Sequence, residues 1–319
     1  MLDSHVIDWL LACPEPAVRK LTLTELLDLT VTDPQVLAVD AKILEGEWVR
    51  ALFAGQEADG GLSVHPYQKW MGAHWRLVSL VELGVPAGEP RALAAAEQVL
   101  HWLEEPSHLN SIRVIDGRVR RCASQEGNAL AVCCRLGLSK DPRVKRLAQS
   151  LVAWQWPDGG WNCDKRPEAR HSSFYESLAP LWGLIEYYRA TGDDPVLAAV
   201  RRTLDLFLEH RLFRSTRTGD IIAPSWLKLH YPVYWHVDFL QELLVISRLG
   251  PLNDLRLDEA LDLLEKRRLA NGCWRTNEYY WKRVGGNQLY SEAVDWGRGG
   301  PNYMITLNAL RVLKSAGRW

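Results

Sequence analysis

One spacing recurs along this chain and constrains it more than any other feature. Leu151, Gln155, Gly159 and Trp161 stand in the pattern L-x3-Q-x3-G-x-W. The same register returns at Leu52, Gln56, Gly60 and Leu62, at Leu264, Arg268, Gly272 and Trp274, and in a weaker copy at Leu109, Arg113, Gly117 and Val119. A helix end, a tight glycine turn and an apolar plug at one spacing predict repeated helical hairpins, each burying its apolar face against its neighbours.

Gly60, Gly117, Gly159, Gly219 and Gly272 mark five units, and each unit runs on to a second glycine, at Gly84, Gly137, Gly192, Gly250 or Gly317. A glycine just past the last apolar residue is a helix stop. Helix starts follow several stops, at Glu89-Pro90, Asp141-Pro142 and Asp194-Pro195, and Asp33-Pro34 opens an earlier helix. An acidic N-cap followed by proline at the first helical position suits a helix start. The helices after these starts are amphipathic, with stripes at Leu93, Ala96, Leu100 and Leu103 and at Val144, Leu147, Leu151 and Trp154. Those that end at glycine, such as residues 75–83 and 239–249, are apolar nearly all round, which predicts burial on most faces.

No strand-like alternation of any length is evident, so the expected fold class is all-α. The absence of a Ser/Gly-rich linker points to one domain over residues 1–319, with N-terminal helices over 1–50 and helical-hairpin repeats over 51–317. A formal net charge of −1 gives no electrostatic case for nucleic acid. The six cysteines contain no C-x-x-C and do not read as a disulfide framework, which favours a reducing, cytoplasmic setting. The start MLDSHVID lacks a basic signal region, and no apolar run reaches transmembrane length; peripheral membrane contact stays open. Fifteen tryptophans against five phenylalanines suit cavity walls and helix junctions.

The L-x3-Q-x3-G-x-W copies resemble the QW repeats of squalene and oxidosqualene cyclases, and the protein prenyltransferase β subunits carry a similar repeat. The resemblance covers roughly residues 50–317. It implies an α/α toroid of about five inner–outer helical pairs plus the N-terminal helices. It also implies an isoprenoid or similar apolar substrate in a Trp-lined central cavity.

In such a ring the loops entering the inner helices gather at one end. They hold His65, Tyr67, Lys69 and His74, then Cys122, Gln125 and Glu126, then Cys163, His171, Tyr175 and Glu176, then His230, Tyr234 and His236 with Asp238, and finally Glu292, Asp295 and Arg298. Three constellations follow. The first is residues 234–240, standing where the cyclases carry an acid motif. By the resemblance, Asp238 is the proton donor and His236 its tuner, with no cofactor, although Phe239 and Leu240 replace the polar residues that follow in the family. Trp75, Tyr234 and Trp235 offer aromatic faces to a carbocation, and His65, His74, Asp295 and Arg298 complete a substrate-binding set. The alternative for Asp238 is a helix cap. The second is Cys122, Cys163 and His171, a three-ligand zinc set with one position open for a transferase or hydrolase; the alternative is cysteines acting as small apolar residues. The third is the acids Glu176, Asp238 and Asp295, a carboxylate set of the glycosidase kind. Lys69, Arg275, Lys282, Arg283 and Arg298 are candidates to hold a diphosphate. The Gly-rich segment 275–301 has the length of a lid or binding loop. A non-catalytic toroid binding lipid or protein is the remaining class.

Overall fold

The structure, a computed structural model, describes residues 4–282 and 290–319 and is mostly helical. Arg283 and Gly285-Gly286 of the Gly-rich segment lie outside the described residues. The N-terminal segment forms α1 (Ser4–Leu11), α2 (Pro16–Leu21, continued by a π turn over Thr22–Leu26), α3 (Pro34–Asp40) and α4 (Glu47–Phe53). Then come α5 (Ala73–Glu82), α6 (Pro90–Glu104), the single turn α7 (Pro106–Leu109), α8 (Ser124–Arg135) and α9 (Pro142–Trp154). The remaining helices are α10 (Phe174–Thr191), α11 (Asp194–Glu209), α12 (Phe239–Ser247), α13 (Asp258–Lys266) and α14 (Tyr303–Ser315). No helix among the described residues is long and apolar enough to cross a membrane.

The two expected helix kinds alternate. Every residue of α5 is buried, and α8, α10, α12 and α14 are buried on most faces. By contrast α9 buries only Val144, Ala148 and Leu151, the stripe of a helix with one wet side. Asp33 and Asp141 cap α3 and α9, accepting from the N–H two residues on. In α11 the cap is Asp193 rather than Asp194, accepting from Val196 N at 3.2 Å, because Pro195 sits one position deeper than expected.

The repeat pattern has a physical reading. Gln155 Nε2 donates to Gly159 O, Ala199 O and Thr203 Oγ1, tying the turn to α11. Gln56 Nε2 does the same, donating to Gly60 O and to Arg91 O of α6. Trp161 and Trp274 plug the turns and donate through Nε1 to Leu151 O and Leu264 O, ten residues back. The turn glycine presses against the next amphipathic helix: a Cβ on Gly159, at φ +97°, would lie 2.3 Å from Arg202 O. The weak copy at 109–119 is a different object. It is an antiparallel hairpin of β1 (Arg113–Ile115) and β2 (Arg118–Arg120), turned by Asp116 and Gly117, both at positive φ. Asp-Gly between short strand runs is a hairpin signal, so the expectation of no strands is corrected here.

The buried helices neighbour one another in chain order: α5 on α8, α8 on α10, α10 on α12 and α12 on α14. Gly127 and Gly183 let α8 and α10 approach so closely that a Cβ on Gly127 would lie 2.3 Å from Pro180 N. The C-terminal ends of the buried helices also meet. Arg248, the C-cap of α12, pairs with Glu82 of α5 at 2.6 Å and with Glu186 of α10 at 2.7 Å, and Arg135 of α8 lies 3.5 Å from Glu186. Burial pushes the Glu82 carboxyl up, but Arg248, Arg135 and Arg311 more than offset it and hold it below its ordinary value. The N-terminal helices join the last buried helix: Trp9 stacks on Tyr303 at 4.1 Å, and Lys314 Nζ donates to Glu25 O and Leu26 O.

Candidate functional site

At the opposite, N-terminal end of the buried helices, three half-buried side chains from separate segments converge. The Cys122 and Cys163 thiols and a Glu176 carboxylate oxygen lie within 4.8 Å of one another. Cys122 stands between β2 and α8, Cys163 follows the Trp161 plug, and Glu176 is in the first turn of α10. The two cysteine segments are held together by a bridge pairing Arg120 with Asn162 and by Arg121 N donating to Asn162 O. Glu176 Oε2 accepts from Ser124 N at 3.0 Å and Ser124 Oγ at 2.9 Å, which orients the carboxylate and joins the starts of α8 and α10. A hydrogen bond from Cys163 holds the Cys122 thiol below its ordinary range, and that same bond together with burial holds Cys163 well above it.

His171, expected as the third ligand, is not in this cluster. Ser172 is pinned to Asp158 by its N–H at 2.7 Å and its hydroxyl at 2.6 Å. His171 therefore faces a separate groove with Asp158, Arg202, Asp205 and His210. Among the described residues the structure therefore brings Glu176, not His171, to the two thiols: after Ser173 the chain turns into α10, and its first turn delivers the carboxylate. All six cysteines are free.

An aromatic wall stands beside the cluster. Tyr175, next to Glu176, meets Trp235 edge-on at 5.8 Å. Lys69 Nζ sits 4.5 Å over the Trp235 ring. His236 is stacked between Trp235 at 3.9 Å and Tyr280 at 3.4 Å, so both faces of its imidazole are covered and only its edge remains available. Burial, with His230 and Lys69 nearby, pushes His236 down to about 3, so the ring is neutral at physiological pH. Burial also lowers Lys69, against the influence of Cys122. Tyr67 hydrogen-bonds Gln125, and its phenol is raised by burial first and then by Glu176.

Of the other expected substrate contacts, Trp75, Tyr234 and His74 are buried, while His65, Asp295 and Arg298 are exposed. Trp75 has no exposed surface and donates through Nε1 to Tyr67 O. Tyr234 stacks on Trp70 at 4.1 Å, and its hydroxyl donates to Glu292. Buried His74, pushed down to about 3 by burial, lies 3.4 Å from Asn128 Nδ2. His65 is exposed, and its Nδ1 accepts from Tyr67 N. Asp295 and Arg298 belong to the closing segment. Asp295 is exposed and accepts from Gly297 N, while the Arg298 guanidinium lies 4.6 Å over both Tyr279 and Trp281. Arg275 and Lys282 are exposed.

Asp238 is fully buried and caps α12. Its Oδ1 accepts from Gln241 N at 2.9 Å; its Oδ2 accepts from His230 N at 3.0 Å and lies 2.7 Å from His230 Nδ1. One turn further, Glu242 is buried with neither oxygen hydrogen-bonded among the described residues. Burial, then Asp238, drives its pKa well above the ordinary value. Sequence reasoning missed Glu242 because an acid inside an apolar run carries no pattern of its own.

Compared with known proteins, the chain matches no family model, no curated protein and no solved structure.

Proposed function

We propose that the chain is a zinc-dependent enzyme, a transferase or hydrolase, whose metal is held by Cys122, Cys163 and Glu176. The convergence of those three donors from three segments carries the reading. The donor chemistry fits: zinc takes thiolate sulfur and carboxylate oxygen, and three protein ligands leave the fourth position open, as catalytic rather than structural sites do. Ser124 supplies the outer hydrogen bonds that metal-ligating carboxylates use. Zinc in such a site supplies Lewis acidity that activates water or a thiol near neutral pH. Around it, Trp235 and Tyr175 give an apolar substrate a surface. The neutral His236 edge offers one donor and one acceptor, and Lys69 offers a positive charge.

The same proposal places this site in an α/α toroid. It is supported by the chain-order neighbouring of the five buried helices, by the meeting of their C-terminal ends around Arg248, and by the turns at Gln56 and Gln155, each tied to the next amphipathic helix. The acid-initiated cyclase reading asks for a proton on Asp238. That carboxylate is turned inward as a helix cap: it accepts from two backbone N–H groups and faces His230, which leaves it fully buried among its own partners.

The test is the metal content of tag-free, as-purified protein. The expected result is about one zinc per chain, lost in both Cys163→Ala and Glu176→Ala, with His171→Ala retaining it. Absence of zinc from the wild type, with no uptake on reconstitution, refutes the reading.

A further inference from the structure

Arg120 is 1% exposed, and among the described residues its guanidinium makes no ion pair, although its charge helps hold the Asp164 carboxyl below its ordinary value. Among the described residues its one hydrogen bond runs from Nη1 to Ala169 O at 2.9 Å, while Nε and Nη2 are buried and have no partner. These two nitrogens share one edge of the guanidinium. They form the side-on fork whose two parallel N–H groups match the two oxygens of a carboxylate or phosphate. The ring of Trp156 lies 4.5 Å from the Arg120 guanidinium and is itself held by Nε1 donating to Val119 O. A ring face offsets some of the charge but cannot accept in-plane N–H donors, so it fixes the plane of the fork and leaves its edge unsatisfied. Arg118, two residues back on the same face of β2, lies 5.7 Å from Trp156 and also has an unpartnered Nε. Asp164, in the adjoining loop, feels the Arg120 charge but makes its side-chain hydrogen bonds elsewhere: both of its oxygens accept from Arg166.

We propose that the Arg120 fork, with Arg118 beside it, is a binding site for a small oxyanion, a carboxylate or phosphate group. Buried donors with no acceptor are rare in folded proteins because each forfeits its hydration, and a full guanidinium edge is the costliest form. An oxyanion supplies two acceptors and the missing negative charge at once. The Arg120 guanidinium is tied to the adjoining loop through Ala169 O, and residues 165–168 just before it are exposed. Because Arg120 pairs with Asn162, next to Cys163, the bound anion would lie beside the segment that carries one thiol of the cluster. The proposal does not depend on zinc.

The test titrates full-length, as-purified protein with inorganic phosphate, and separately with acetate, at constant ionic strength with chloride as reference. It follows Tm together with the 15N-detected Arg120 Nε–H resonance. The expected result is a saturable rise in Tm and a shifted Arg120 signal for at least one of the two anions, which also says whether phosphate or carboxylate is preferred. Arg120→Lys keeps the charge but lacks the fork and should weaken binding at least tenfold, with zinc content unchanged. Three outcomes overturn the proposal: anion and chloride acting alike, Arg120→Lys binding as well as wild type, or binding seen only in Asp164→Asn, which would give the fork to Asp164. If Arg120→Lys fails to fold, the wild-type resonance decides: an Arg120 Nε–H signal unmoved at saturating anion refutes the site.

Discussion

Ser124→Ala removes one hydroxyl and tests whether Glu176 is a metal ligand rather than a bystander. Ser124 is buried in the first turn of α8, and its Oγ–H donates to Glu176 Oε2 at 2.9 Å, while its backbone N–H donates to the same oxygen at 3.0 Å. Alanine keeps the helix and the backbone bond but frees the carboxylate to rotate. Loss of an outer-shell partner typically lowers metal affinity 10–100-fold, which is about 1.4–2.7 kcal/mol of binding free energy. The metal-free protein also loses one hydrogen bond to a charged acceptor, about 1.5 kcal/mol of folding stability. Zinc competition against a chromogenic chelator measures the first effect, and urea unfolding in excess chelator measures the second, so the two losses are read separately. Zinc affinity within twofold of wild type, alongside the expected stability loss, would refute the claim that Glu176 ligates the metal.

Two further outcomes follow from the fold. Gly159→Ala puts a Cβ at φ +97° and 2.3 Å from Arg202 O; it should cost about 2 kcal/mol or more, read as a fall in the urea midpoint at constant m-value. Glu242 and Glu292 are both raised by burial, Glu292 to about 7, so the folded state holds their protons more tightly than the unfolded chain does. Their contribution is fully present below about pH 4.5 and is lost as pH rises through the folded-state values. Stability should therefore fall from pH 5 towards pH 8, and Glu242→Gln, which cannot ionise, should flatten that fall when urea unfolding is compared at the two pH values.

Local chemistry was legible along the chain because its causes are local. Asp33 and Asp141 cap helices by bonding an N–H two residues away, and the turn of Gly159 and the plug of Trp161 close within one hairpin. The apolar period distinguished helices buried all round from those buried on one stripe. Where a local rule was read too coarsely, the result shifted: Asp193 displaced Asp194 as a cap, and the Asp116-Gly117 turn made a hairpin of the weak fourth repeat.

The site depended on which segments meet, and spacing does not encode that. Cys122 and Cys163 stand forty-one residues apart and come together through the pairing of Arg120 with Asn162. Glu176 rather than His171 joins the two thiols, because Asp158 anchors Ser172 on the far side of the turn. Asp238 caps α12 through Gln241 N, three residues on, while only the fold brings His230 N onto its second oxygen. That the edges of Arg120 and Glu242 lack hydrogen-bond partners among the described residues is visible only in three dimensions, since satisfaction of a buried polar group depends on every neighbour around it and not on its place in the chain.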